Sequence, residues 1–268
     1  MKKKLPLIIL VVVIVGLGGF FVLRGKKANS QDQTQKEQKE KKRITEPINI
    51  IPVEERPYMQ IKPLADGHHI VIALNDLKKP ADQYEYELEY QSGSLLQGAF
   101  DQVDLEELPT EHKLMLGSCS AGGACTYHED IKGGSLLTRF SQGENKYVLK
   151  SDWRYLENKD DETQISSRDG KFQLESEDLA NESYLIVFNS PGYPESLENQ
   201  ALSEFYTLSS AGSLSGKGEL TIRASEESKQ AIILGYDGEE WIEFEAQVDG
   251  KKVTADVELL AGYLVVKK

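Results

Sequence analysis

Apolar and polar side chains alternate with a period of two along much of the chain after residue 48. Side chains on a β-strand point alternately to opposite faces, so this alternation predicts strands with one buried face and one solvated face. The clearest case is segment 84–90, in which three tyrosines and Leu88 alternate with glutamates, and segment 147–155 repeats the pattern. No apolar stripe of helical period extends over ten residues here, so the pattern predicts an all-β body.

Further apolar segments predict short strands at close spacing, separated by turn residues such as Gly67 and the pair Gly133-Gly134. Short strands without intervening helices are typical of an antiparallel β-sandwich. These additional strands are predicted at residues 58–61, 69–74, 113–116, 135–140, 171–174, 184–189, 205–209, 219–223, 231–236, 241–245, 253–257 and 263–266.

A polar stretch at residues 157–170 interrupts the strand pattern and predicts a domain boundary. The predicted fold class is therefore all-β, with two tandem antiparallel β-sandwich modules over residues 48–156 and 157–268. Each module has about 110 residues, which is enough for a core of its own. Apolar residues make up 39% of the chain and charged residues 28%, a balance that fits a globular protein.

The amino terminus carries an unbroken apolar run that begins at Leu5 and ends at Leu23. A helix of that length spans roughly 28 Å, close to the ~30 Å of a hydrocarbon core. Lysines precede the run, Arg24 and further lysines follow it, and no A-x-A cleavage site follows. We therefore expect residues 1–27 to be an uncleaved signal anchor with a transmembrane helix at residues 5–23. A cleaved signal peptide is the alternative.

Residues 28–47 are rich in Gln, Lys and Glu, and Ile44 is their one large aliphatic residue. Such a segment buries too little apolar area to offset the entropy of ordering it, so we expect a polar linker that holds the body away from the bilayer. Positive charge on the very short amino-terminal tail, and the usual dominance of the first span, predict a carboxyl-terminal body outside the cytoplasm. The expected location is the cell membrane, crossed once.

The charge of the chain is divided unevenly. The formal net charge is −13, and residues 1–43 carry eleven Lys or Arg against three acids, a net of +8, which leaves −21 for residues 44–268. So acidic a body repels a phosphate backbone, and this excludes nucleic acid as an expected partner. The expected partners are the membrane, through Leu5 to Leu23, and an unidentified protein or cell-wall glycan.

Cys119 and Cys125 are the only cysteines, and they flank a small, glycine-bearing turn. Flanking segments 114–118 and 126–128 predict a hairpin that would bring the two sulfur atoms together. Outside the cytoplasm such a pair oxidises, so we predict a disulfide. The alternative is a zinc site that adds His112 and His128, but five residues between the cysteines exceed the usual two to four.

Two other groups of side chains invite a ligand. His68 and His69 are adjacent on a predicted strand and point to opposite faces, so we expect one to be partly buried, the other solvated, and neither functional. Asp160, Asp161 and Glu162 could bind calcium, but no D-x-D-x-D-G pattern is present, and a solvated linker is the preferred interpretation.

The alternating tyrosines Tyr84, Tyr86 and Tyr90 could stack on sugars if they were exposed. Their alternation with glutamate favours a core face instead. The sequence has no G-x-S-x-G, S-x-x-K, H-E-x-x-H or phosphate-loop motif. It therefore offers no catalytic residue, and predicts no enzyme, no metal and no cofactor. Hydrolysis by paired carboxylates stays open, because an acidic sandwich contains many such pairs.

The carboxyl-terminal hundred residues resemble a known module. The matching features are Leu220-Thr221-Ile222, Tyr236-Asp237-Gly238, Trp241, Val248-Asp249, Val253-Thr254-Ala255 and Tyr263. This pattern resembles the ZU-five-type β-sandwich of ankyrins, netrin receptors and bacterial surface proteins, which implies a binding or spacing module. Residues 48–156 resemble fibronectin type III and immunoglobulin sandwiches only generally.

Some ZU-five relatives cut themselves between Phe and Ser before the last strand. The corresponding pair here is Leu260-Ala261, which has no hydroxyl nucleophile, so we expect no self-cleavage. The combined hypothesis is a membrane-anchored surface protein with a structural or interaction role. The alternatives are a carbohydrate- or polymer-binding module and an exported hydrolase with a zinc or carboxylate site.

Overall fold

The computed structural model describes residues 46–195, 197 and 199–268, and these described residues belong to one compact unit. The predicted anchor at residues 5–23, and the predicted linker except for its last two residues, lie outside the described residues. Within the described part, no helix combines the length and apolar character that a membrane crossing requires. This part consists of strands and two short 3-10 helices, Val53–Glu55 and Glu177–Asn181, which confirms the all-β prediction.

The strands follow one another closely along the chain. Their bounds are β1 Tyr58–Pro63, β2 His69–Asp76, β3 Gln83–Ser92, β4 Leu95–Asp104, β5 Thr110–Met115, β6 Gly117–Cys119, β7 Cys125–Tyr127, β8 Ile131–Gln142, β9 Asn145–Glu157, β10 Gln164–Ser166, β11 Phe172–Glu175, β12 Tyr184–Ser190, β13 Gln200–Ala201, β14 Phe205–Ser210, β15 Lys217–Arg223, β16 Ala231–Tyr236, β17 Trp241–Phe244, β18 Gln247–Asp249, β19 Lys252–Glu258 and β20 Gly262–Lys267.

Three sheets and one hairpin contain these strands. The main sheet has the order β17-β16-β20-β14-β12-β9-β8-β3-β4, with β13 attached to β20. A small sheet has the order β1-β2-β5, a five-stranded sheet has the order β10-β11-β15-β19-β18, and β6 pairs with β7 alone. The expected boundary at residue 157 falls at the end of β9. Because β9 pairs with β12, the main sheet continues past the polar stretch.

Strand β12 belongs to two cores at once. Its side chains alternate between the two faces of the main sheet, as in any strand. Ile186 and Phe188 pack in the core beneath the small sheet, whereas Leu185 and Val187 pack in the core beneath the five-stranded sheet. We call these two surfaces of the main sheet the front face and the back face. The small sheet thus covers the front face and the five-stranded sheet covers the back face, which gives a sandwich-like arrangement.

The core beneath the small sheet is rich in aromatic rings, and we call it the tyrosine core. Strand β3 contributes the three alternating tyrosines, all buried, and β9 contributes Trp153, which is fully buried. The Trp153 ring meets the Tyr90 ring edge-on at 6.3 Å between centroids, and the indole Nε1 donates to the carbonyl of Glu89. Ile61, Ile72 and neighbouring aliphatic residues of the small sheet close this core from above.

The second core lies between the back face and the five-stranded sheet. Phe172 of β11 packs there against the rings of Tyr206 and Tyr263, with centroids 5.4 and 6.1 Å apart. A smaller cluster on the front face, around Phe205 and Tyr236, buries the other side of β14, β16 and β20. Each of these strands is therefore buried on both faces.

Some local features differ from the sequence prediction. Gly133-Gly134, predicted as a turn, lies inside β8. A Cβ atom at Gly134 would collide with the carbonyl of Glu89 on β3, so glycine here permits a close approach of two backbones rather than a chain reversal. Strand β4 was not predicted. It forms one edge of the main sheet among the described strands, and most of its side chains are exposed, so it lacks the apolar alternation of its neighbours.

Candidate functional site

The predicted cysteine pair lies at the end of the β6–β7 hairpin. The Sγ atoms of Cys119 and Cys125 are 2.00 Å apart, the distance of a disulfide bond, and both residues are exposed. The histidines of the alternative zinc site are engaged elsewhere: the His112 ring packs against Tyr86, and His128 Nδ1 lies 2.8 Å from the Tyr90 hydroxyl. Among the described residues, no three His, Cys, Asp or Glu side chains form a group that could hold a metal ion.

His68 and His69 are both half-buried, where one partly buried and one solvated ring were expected. The His68 ring stacks on Tyr127 at 4.0 Å between centroids, whereas His69 Nδ1 lies 2.7 Å from Asp66 Oδ2. The Asp66 pKa is lowered, because hydrogen bonds from the His68 amide and the His69 side chain and amide outweigh the effect of burial. The His69 ring also meets Tyr127, edge-on at 6.3 Å between centroids, so both histidines pack against this tyrosine.

The remaining sequence candidates also have structural roles. The tyrosines at 84, 86 and 90 are buried, so no sugar-stacking face exists on β3. The acidic stretch from Asp160 to Glu162 is an exposed turn that Asn158 closes, because its amide donates to the Glu162 carbonyl and its Oδ1 accepts from the Glu162 amide. Both observations agree with the core and solvated-linker interpretations made from the sequence.

A large polar cleft lies at the meeting point of several loops beside β9 and β12. Its volume is about 1310 Å³. It is bordered by the segment before β1, the middle of β9, the β10–β11 turn, the chain between β12 and β14, and the ends of β15 and β19. The charged side chains in its lining are Arg56, Lys150, Arg168, Lys171, Arg223 and Lys251 together with Glu54, Asp152, Asp169 and Glu204.

Asp169 is the most heavily bonded carboxylate of the cleft, and its side chain is 19% exposed. One oxygen accepts from the Ser167 hydroxyl at 2.5 Å and from the Lys171 amide, and the other lies 3.2 Å from Lys171 Nζ and accepts from the Tyr206 hydroxyl. Burial favours the neutral acid, but these bonds outweigh it and lower the Asp169 pKa. The carboxyl group is therefore held as an anion.

The contact with Asp169 also changes the pKa of Lys171. Burial alone would lower the Lys171 pKa, but the bond to Asp169 and the nearby charges of Asp169 and Glu204 raise it. A similar pair joins Arg168 to Asp152 at 2.9 Å. These two ion pairs place opposite charges side by side along the cleft. The shifted pKa values hold Asp169 and Lys171 in their ionised forms.

Asn189 and Glu204 form a third polar contact. Asn189 is 7% exposed, and its Nδ2 donates to Glu204 Oε2 at 2.7 Å. The carboxylate fixes the orientation of the amide, since the opposite orientation would place two oxygens together. In this orientation, Asn189 Oδ1 is buried and has no hydrogen-bond partner in the described structure. An unpartnered buried acceptor is destabilising by about 1–3 kcal/mol unless water or a ligand satisfies it.

The cations of the cleft differ in how much of their bonding capacity is used. Arg56 donates to the carbonyls of Ile51 and Asn49, and Lys251 donates to the carbonyl of Ser225. The exposed Lys150 ammonium and Arg223 guanidinium have no partner among the described residues. The cleft therefore offers two free positive charges beside several that are already bonded to carbonyls or carboxylates.

The electrostatics of the cleft make Asp169 a poor general acid. A general acid at neutral pH needs a carboxyl group with a raised pKa, whereas that of Asp169 is lowered. What the cleft presents is fixed charge and hydrogen-bonding capacity, which recognise polar ligands.

Sequence reasoning missed this cleft, because its lining comes from segments more than two hundred residues apart. One local signal was available: Asn189 directly follows the apolar run Leu185 to Phe188 of strand β12, and a buried amide requires partners. Comparison of the chain with family models, curated proteins and solved structures finds no match. The ZU-five resemblance and the expected absence of self-cleavage at Leu260-Ala261 stay predictions.

Proposed function

We propose that this chain is a single-pass surface protein whose β-rich body lies outside the cytoplasm and binds a partner there without catalysing a reaction. The apolar run from Leu5 to Leu23 supplies the anchor, and residues 28–47 supply the spacer. The body comprises the two proposed modules, 48–156 and 157–268, which share the main sheet, and the second is proposed to be of ZU-five type. The exposed cysteine pair at bonding distance supports an oxidising compartment.

The observation that carries the binding role is the cleft. Its volume of about 1310 Å³ exceeds the roughly 300–1,000 Å³ of small-molecule sites. Loops held by a rigid sheet are the usual location of binding residues, and most of the lining lies on loops and strand ends. This observation favours the carbohydrate- or polymer-binding alternative, but with the cleft, and not the tyrosines of β3, as the contact surface.

Protease treatment of intact cells tests the topology. The full-length chain would carry an epitope at its carboxyl terminus, and we expect external protease to remove the epitope without lysis. A matched variant, Val12→Arg with Gly16→Arg, places two charges in the apolar run, and we expect it to be lost from the membrane fraction. Recovery of the native chain from cytosol without detergent, with both thiols reduced, would contradict the proposal.

A further inference from the structure

The cleft differs in charge from the body around it. Residues 44–268 have a net charge of −21, yet the cleft lining has six Lys or Arg against four Asp or Glu, a net of +2. Because the body is strongly acidic, the six Lys and Arg side chains in one concave surface make the cleft differ in charge from its surroundings. Formal charge therefore favours the cleft over the acidic surface around it as the place where an anionic ligand binds.

The free cations are the second observation. Lys150 lies on β9 of the main sheet and Arg223 ends β15 of the five-stranded sheet, and both line the cleft. Neither has a partner among the described residues, whereas Arg168 and Lys171 are paired with Asp152 and Asp169. A ligand with spaced anionic groups could therefore pair with Lys150 and Arg223 without breaking an existing ion pair.

The third observation is the unpartnered acceptor at Asn189. Its Oδ1 accepts no hydrogen bond, and its amide nitrogen is already committed to Glu204. A purely anionic group cannot satisfy an acceptor, because it has no proton to donate. A ligand that completes this site therefore needs a hydrogen-bond donor, such as a hydroxyl group, as well as negative charge.

We infer that the cleft binds a hydroxyl-bearing polyanion, with its acidic groups on Lys150 and Arg223 and a hydroxyl group toward Asn189. This inference rests on the proposed binding role and names its ligand class. Two sources share this chemistry: a polysaccharide with carboxylate groups and a polyol chain linked by phosphates. The size of the cleft favours a segment of a polymer over a small metabolite.

The test measures binding by the full-length chain in a neutral detergent at about 0.15 M salt. The probes are an oligogalacturonate, an oligo(glycerol phosphate) and a neutral malto-oligosaccharide of similar length. We expect at least one anionic probe to bind, with affinity that falls as salt is added, and the neutral probe not to bind. The anionic probe that binds identifies carboxylate or phosphate as the source. Binding of the neutral probe as tightly as the anionic ones, or binding of no probe, would overturn the inference.

A pair of double variants locates the binding. Lys150→Gln with Arg223→Gln should weaken anionic binding by roughly tenfold or more, since both free cations are removed. Lys113→Gln with Lys132→Gln changes the net charge equally at exposed lysines outside the cleft, and should leave affinity within about twofold. Equal losses in both variants would reject the cleft as the site, as would no loss in the first.

The two proposals can fail separately. Tryptophan emission and the mass of the disulfide-linked peptide show whether each variant is folded. If the double variant Lys150→Gln with Arg223→Gln does not fold, binding is measured with the two single variants. Loss of polyanion binding leaves the result of protease treatment unchanged. A cytosolic location would overturn the surface role even if the cleft bound a polyanion.

Discussion

The tyrosine core and the cleft lie against the same main sheet but are built in opposite ways. The core collects rings from neighbouring strands and excludes water, so its stability comes from buried apolar area. The cleft collects charges from segments far apart in sequence, and each of its cations contacts a carbonyl, a carboxylate or no described residue. Regular alternation therefore makes the rigid platform, whereas irregular segments make the surface that can recognise a ligand.

The largest effect is expected in the tyrosine core. Trp153→Ala removes a fully buried indole and should lower the free energy of unfolding by about 3–5 kcal/mol in a denaturant titration. Trp241→Ala is the matched control, because that ring is only partly buried. Equal losses in the free energy of unfolding from both substitutions would show that the tyrosine core does not stabilise the fold more than the partly buried cluster around Trp241.

The second-largest loss of stability is expected in the β6–β7 hairpin. Cys119→Ser with Cys125→Ser opens a loop that the disulfide closes, and should lower stability by about 2 kcal/mol in the chain-entropy model. Chemical reduction of the unsubstituted chain should have the same effect and leave the double variant unchanged. Mass spectrometry provides the direct check, with the linked peptide lighter by two hydrogens. Two free thiols in protein prepared from the native compartment would contradict the bond.

A smaller effect is expected within the cleft. Asp169→Asn removes the anion that Ser167 and Lys171 hold, and should lower stability at neutral pH by about 1–3 kcal/mol. The lowered Asp169 pKa sets the sign of the pH dependence. A carboxyl group whose pKa is lower in the folded state contributes its stability above the unfolded value, about 3.9, and loses it as pH falls through the folded value.

The stability difference between the native chain and Asp169→Asn should therefore shrink below about pH 4. Asp249→Asn, at an exposed position on β18, is the control and should change stability by less than about 0.5 kcal/mol at any pH. A difference that persists unchanged at acid pH would show that Asp169 acts through packing and not through its charge.

The smallest effect on stability is expected at Lys150, where a substitution should change binding but not folding. Lys150→Gln removes an exposed, unpaired cation and should change the free energy of unfolding by less than about 0.5 kcal/mol. The same substitution should nevertheless weaken polyanion binding, measured by calorimetry. A large loss of stability would mean that Lys150 belongs to the platform and not to the recognition surface.

Sequence reasoning succeeded where structure is local. Alternation identified β3 and β9, and the small residues between Cys119 and Cys125 identified the hairpin, because a period of two and a tight turn depend on neighbours in sequence. It missed β4, whose exposed side chains carry no alternation, and misassigned Gly133-Gly134, whose purpose is visible only when β3 lies beside β8.

The amino-acid sequence by itself determined that this body is made of strands, which of their faces are apolar, and that two cysteines meet. Only the tertiary structure decided that β12 serves two cores, and that Lys150, Arg223 and Asn189 border one cleft. The physical reason is that strand periodicity is set by the geometry of one segment. Which segments become neighbours is set by the packing of whole sheets, and no short stretch of sequence records that outcome.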